Sequence, residues 1–264
     1  MHAARSIQIW SLLIATVVFS MTCLLANAQE NEQEIAADGG SQTLLQSIHV
    51  PLIKNAPFSL TLATDWARPM ANGGSFTVAN SRPIKRDRDG RLYEERWLLS
   101  PKGSSYASTI SYIQIADPTA RTLYNCNVPH HVCELLTLSS AETKLLPPST
   151  FKSGPLPNGK GVRVHEDLGE QIYAGLPVHE YRDTTTLEPG VLGNDLPMSI
   201  VREFRYSADL GINLTSQLEN PQSGRQTFTV TEINTADPDP TFFQIPNGYK
   251  VVDHRKPTPQ PAGP

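Results

Sequence analysis

Apolar and polar residues alternate along most of the chain from about Leu44 onward. In Phe58-Ser-Leu-Thr-Leu62 every second side chain is apolar, and Ile212-Asn-Leu-Thr-Ser-Gln-Leu218 repeats the pattern with Asn213, Thr215 and Gln217 on the wet side. A period of two puts such a set on one face of a strand. The same reading predicts strands around 74–86, 91–99, 108–116, 121–125, 133–138, 161–167, 170–174, 176–187, 198–206 and 223–235. Turn chemistry separates them at Asp89-Gly90, Asp117-Pro118, Pro189-Gly190, Gly193-Asn194 and Ser223-Gly224. Connections this short join antiparallel neighbours, because parallel pairs need a long crossover. Helical periodicity is scarce. It is confined to a short piece near 41–48 and one turn at Pro240–Phe243, before Ile245-Pro246-Asn-Gly-Tyr249. The expected fold class is mainly β: a curved antiparallel sheet, a half-barrel, with one or two short helices, forming a single domain over 44–252.

The two ends depart from this pattern. Arg5 precedes an apolar stretch from Ile7 to Leu25, then Ala26-Asn27-Ala28 and the polar run Gln29-Glu30-Asn31-Glu32. A charged start, an apolar middle and small residues at the cleavage positions make 1–28 a signal peptide, with the mature chain periplasmic or secreted. An uncleaved anchor helix and lipid attachment at Cys23 are the competing readings. Residues 29–43 are polar and small, which predicts a flexible lead-in. The Pro/Ser/Gly-rich stretch Leu146–Lys160 reads as a long surface connection inside one domain, and the Pro-rich tail 253–264 as extended and disordered.

Composition narrows the function classes. Without the leader the charge is (22 − 1) − 26 = −5, an ordinary soluble surface. The only basic run, Lys85 to Arg91, is broken by Asp87 and Asp89, so nucleic acid is set aside as a partner. The alternation of sign across Gly90 reads as a solvated hairpin tip. Cys126 and Cys133 remain once Cys23 leaves, and an even pair in an exported chain is read as a disulfide. His130 and His131 between them keep a metal site as the alternative, although neighbouring side chains on extended chain point opposite ways.

Three stretches carry a resemblance. They are Lys85–Glu95 with Ile113–Pro118 and Leu123-Tyr124; Glu166–Val178 running into Tyr181–Thr184 and Pro189-Gly190; and Glu203–Ser207 with Ser223–Arg225, Asp237–Pro240 and Phe243–Tyr249. Together they resemble exported bacterial proteins related to the LolA, LppX and RseB-type lipoprotein-carrier superfamily. The resemblance implies a curved half-barrel over helices, whose concave face holds lipid or acyl chains or serves in sensing envelope proteins. This chain departs from it in having few helices to plug the barrel.

The candidate ligand-binding cleft follows from the inward positions of the predicted strands: Leu60, Leu62, Ile113, Ile115, Phe204, Tyr206, Leu214 and Phe228. A curved sheet that does not close leaves such a face in need of cover, and a lipid or lipoprotein acyl chain supplies it. An envelope protein is the alternative partner, and a filled inner face would point to it. Val-His-Glu occurs at 164–166 and 178–180. If the strands pair about Ile172, His165 and His179 become neighbours able to bind zinc with a nearby carboxylate. The motifs of common hydrolases, zinc proteases and nucleotide-binding loops are missing from the sequence. The expected function is therefore non-enzymatic with no cofactor, an uncharacterised hydrolase or metal-binding protein being the remaining class.

Overall fold

The structure, a computed structural model, describes residues 34–35, 41–42, 47–139 and 151–255. The leader, most of the lead-in and the end of the tail lie outside these residues. The chain divides into two units, Met1–Leu44 and Leu45–Pro264. In the first, β1 (Glu34–Ile35) pairs antiparallel with β2 (Ser41–Gln42). The short helix expected near 41–48 does not form where the chain is described: Ser41–Gln42 is strand, and 47–50 has no regular structure.

The second unit is one open, curved sheet of 14 strands. Its strands are β3 (Phe58–Pro69), β4 (Ser75–Arg86), β5 (Leu92–Trp97), β6 (Ser100–Pro101), β7 (Ile110–Asp117), β8 (Thr122–Asn127), β9 (Val132–Thr137), β10 (Gly154–Pro155), β11 (Gly161–Tyr173), β12 (Leu176–Leu187), β13 (Met198–Ser207), β14 (Ile212–Asn220), β15 (Gly224–Asn234) and β16 (Lys250–Asp253). Across the sheet the order is β10-β11-β12-β13-β14-β15-β3-β4-β5-β7-β8-β9-β16, with β6 on β4. Sequential hairpins build both wings, and the long-range β15–β3 pair joins them. Every pair is antiparallel except β16 with β9, which is parallel. The two strands expected at 161–167 and 170–174 are one strand, bent by a bulge between Asp167 and Gly169, where Gly169 takes φ +88°. Among the described residues the helical elements are two 3-10 turns, Pro157–Gly159 and Pro240–Phe243. The second is capped by Asp239, whose Oδ1 accepts from the Thr241 backbone N at 2.8 Å.

We call the face carrying Phe58, Leu60 and Leu62 the inner face. The extended segment 47–57 lies on it. Ile48, Val50 and Ala56 from this segment pack in one cluster with Phe58, Leu60, Leu62, Ile84, Leu214, Phe228 and Val230. Arg86 fixes the segment in place. Its side chain is fully buried, donating from Nε to the Ala56 carbonyl at 2.9 Å, from Nη1 to Pro51 O at 2.7 Å and from Nη2 to Leu210 O at 2.7 Å. The guanidinium also lies 4.7 Å from the Phe58 ring centroid. Burial pushes its pKa down to about 10, so it stays cationic at neutral pH. The charge cluster at 85–91 is thus only partly a solvated tip. Arg86 and Asp87 are buried, Asp87 accepts from Arg91 Nε at 2.6 Å, and Arg88 and Asp89 face solvent.

Cys126 and Cys133 form the disulfide, directly opposite one another across β8 and β9, and both are fully buried. Closing so short a loop is worth about 2–3 kcal/mol on the chain-entropy model. Cys126→Ser/Cys133→Ser should therefore lower the thermal midpoint by about 5–10 °C, read by calorimetry. An unchanged midpoint would show that the hairpin does not depend on the bridge.

Candidate functional site

The register decides what the inner face carries beyond its core. Leu60, Ile84, Glu94 and Gln114 lie directly opposite one another across β3, β4, β5 and β7, so they share the inner face. Phe58, Arg86, Leu92, Ala116 and Leu123 form the adjoining row through β8. Here the inner face turns partly polar, and a recess of about 210 Å³ opens beneath the 48–52 segment. Its apolar wall is Ile48, Val50, Leu52, Leu92, Ala116, Leu123 and Leu138, and its polar side is His49, Glu94, Arg96 and Gln114.

The polar side is internally compensated. Buried Glu94 lies 3.5 Å from Arg82 Nη1 and 2.8 Å from Arg96 Nη2. Arg82, also buried, donates from Nη2 to Ser47 Oγ at 2.7 Å. Burial lowers the Arg82 pKa, and Glu94 opposes that shift. Arg96 donates from Nε to Gln114 Oε1 at 2.8 Å, and its side chain is 44% exposed. One guanidinium therefore stands at the recess, still reachable by a ligand.

The expected cleft residues do not form a single surface. Leu60, Leu62, Leu214 and Phe228 are 0–5% exposed and belong to the core under segment 47–57. Ile113 and Ile115 flank inner-facing Gln114 and so point to the other face, where Ile115 packs with Tyr93 and Phe243, and Ile113 and Tyr124 pack against them. The 3-10 turn at 240–243 covers them. Phe242 lies 5.2 Å from the Tyr93 ring and Lys85 Nζ 4.3 Å from the Phe242 ring. Burial and the hydrogen bond to Glu95 push the Tyr93 phenol up. Phe204 lies in the inner-face row Thr64, Phe228, Ser216, Phe204, Tyr181 and is buried, whereas Tyr206 is half-buried opposite His179. The strand patterns were correct, but alternation alone does not reveal which face the chain covers.

On the β11–β13 wing, the hairpin turns at Ala174-Gly175, so its register differs from pairing about Ile172. His165 faces Asp183 and His179 faces Glu170. The two imidazoles are therefore not neighbours. They stack on opposite sides of Tyr181, with ring centroids 5.5 and 4.6 Å away. His165 Nδ1 lies 2.5 Å from Asp183 Oδ1, and His179 Nε2 is hydrogen-bonded to Asp167 Oδ1. That bond holds the Asp167 carboxyl below its usual range. Among the described residues no three His, Cys, Asp or Glu side chains converge as metal ligands.

Sequence reasoning did not single out His49, Glu94, Arg96 and Gln114. Their signal lay in the β4–β5 register, since a polar Glu94 opposite Ile84 marks where the inner face ceases to be core.

No family model matches the chain, and no curated protein sequence does. The solved structures that match are distant. An uncharacterised conserved protein from Thermus thermophilus is 7% identical with a TM-score of 0.38, over 75% of this chain and 90% of that one. MucB from Pseudomonas aeruginosa, solved in complex with MucA, is 19% identical with a TM-score of 0.37, over 75% of this chain and 59% of that one. The lipoprotein LppX from Mycobacterium tuberculosis is 10% identical with a TM-score of 0.23, over 68% of this chain and 88% of that one. At these identities and TM-scores the matches carry no ligand and no site residue over to this chain.

Proposed function

We propose that this is an exported, non-enzymatic envelope protein that holds the apolar part of a lipid, an acyl chain, in the recess beneath segment 48–52. The observation that carries the reading is the recess itself, with seven apolar side chains on one side and the half-exposed Arg96 on the other. An acyl chain covers such a wall, and a guanidinium can meet an anionic headgroup through paired hydrogen bonds. Its volume of about 210 Å³ is below the roughly 300–1,000 Å³ of a site enclosing a whole drug-sized ligand, so the recess suits a chain end. A second reading, a protein-interaction or sensing module, is supported by the core cover. The chain's own Ile48, Val50 and Ala56 already occupy the inner face over Leu60 and Leu62.

Native mass spectrometry of the exported chain, purified without detergent and paired with lipid extraction, tests the choice. Discrete adducts that vanish in Leu123→Trp at an unchanged melting temperature are the expected result. A bare mass after incubation with envelope lipids overturns the carrier reading in favour of the interaction module.

A further inference from the structure

Large apolar side chains stand exposed at one end of the sheet. β3 ends in the hairpin where Pro69 faces Ser75. Arg225 faces Ala67 and Asn220 faces Gly224, so β15 begins and β14 ends at that same end. Val201 faces Glu219 and Leu187 faces Met198, which brings the β12–β13 connection there as well. On the other side, Pro101 faces Val78 and the Lys102 backbone N donates to Thr77 O at 2.9 Å, which places the 98–109 loop beside the hairpin. These connections expose Met70 (46%), Phe76 (41%), Leu98 (56%), Tyr106 (78%), Leu192 (48%) and Leu196 (69%). Single exposed apolar residues are ordinary, but this many at one end form a surface that calls for a partner.

The hairpin from Trp66 onward and the 98–109 loop carry cations but no acids of their own. Residues 66–86 and 96–116 contain no Asp or Glu, in a chain whose net charge is −4. Arg68 is exposed at the hairpin, with its guanidinium 4.6 Å from the Trp66 ring and 5.8 Å from that of Phe76. Lys102 contributes a second cation, paired with Asp65 at 2.7 Å. Of the acids at this end, Asp65 pairs with Lys102 and Glu219 with Arg225 at 2.9 Å, and Glu188 and Asp195 lie on the β12–β13 connection.

We propose that this end of the sheet rests on a lipid surface carrying anionic headgroups. Met70, Phe76, Leu98 and Tyr106 enter the boundary between headgroups and acyl chains, and Arg68 and Lys102 meet the phosphates. The apolar residues stand on two projections, the β3–β4 hairpin and the 98–109 loop, which can both dip into a soft interface. A guanidinium stacked on aromatic rings keeps its charge in the headgroup layer while the rings go deeper.

The test is co-sedimentation of the exported chain with phosphatidylglycerol/phosphatidylcholine vesicles and with pure phosphatidylcholine vesicles, at low salt and at about 0.5 M salt. The wild type is expected to pellet with the anionic vesicles, several-fold less at high salt. Phe76→Ser/Tyr106→Ser should reduce partitioning at least tenfold, and Arg68→Gln should remove most of the salt dependence. Both variants alter exposed side chains and should retain the wild-type melting temperature. Equal pelleting of the wild type and Phe76→Ser/Tyr106→Ser overturns the proposal, as does failure of the wild type to bind any vesicle. A dimer in sedimentation equilibrium that Phe76→Ser abolishes, without vesicle binding, would assign the surface to a second copy of the chain. Leu123→Trp, which fills the recess, should leave vesicle binding unchanged, so this inference and the carrier reading can fail separately.

Discussion

Replacing Arg86 with methionine should destabilise the fold by about 3–5 kcal/mol and lower the urea midpoint without changing the slope. The guanidinium ties together three segments: the 51–56 stretch, the end of β4 and the loop before β14. Methionine fills similar space but takes the side-chain donor from the carbonyls of Ala56 and Leu210 and leaves Pro51 O with the Ile53 backbone N alone, and that unmet desolvation cost outweighs the relief of burying no charge. Arg86→Lys keeps the charge but presents one point of donation in place of a planar fork, so it should recover only part of the loss. Arg88→Gln is the matched control. Arg88 pairs with Asp237 at 3.0 Å with its side chain 70% exposed, and losing such a surface pair costs under about 1 kcal/mol. An Arg86→Met midpoint equal to that of Arg88→Gln would mean that the segment is held by its apolar residues alone.

Leu62→Ala should lose about 2–5 kcal/mol and Phe228→Ala about 3–5 kcal/mol, with no selective effect on any bound lipid. Both side chains are packed by the chain itself, at 0% and 5% exposure, so truncation leaves a cavity instead of emptying a ligand site. Denaturant titration reads the stability, and adduct mass on the surviving folded fraction reads the ligand. If either variant loses its lipid while keeping its wild-type midpoint, these residues line a site and the 47–57 segment is a displaceable cover. The two experiments together separate what holds the sheet from what the sheet holds.

Much of this architecture was legible in the residue pattern. The period of two located the long strands because one face of each is buried, and the turn pair Asp89-Gly90 falls between β4 and β5 while Ser223-Gly224 leads into β15. Gly224 shows why the turn residue matters there: at φ +87° a Cβ would run into the carbonyl oxygen of Ala67. The missed features depend on register. Bulges at Asp167/Gly169, Arg205/Tyr206 and Val230/Glu232 reset which residues oppose one another, and no local pattern announces them. Ile113 and Ile115 illustrate the limit. Their alternation is clear, but only the β4–β5–β7 register shows that they look away from Leu60. Arg86 was hidden differently, since a run of alternating charge resembles a wet tip unless a buried set of carbonyls is known to surround one member. The recess was illegible because its polar side is assembled from His49, Glu94, Arg96 and Gln114, three separate stretches that only the register brings together.

The β15–β3 pair has a consequence for the order of events in folding. β3 lies at the middle of the sheet, yet one of its two neighbours is made near the end of synthesis, and β9 likewise waits for β16. Neither wing can acquire its full set of strands from the earlier part of the chain alone. Contacts so distant in sequence are slow to form, so the joining of β15 to β3 and of β16 to β9 comes after the local hairpins of each wing.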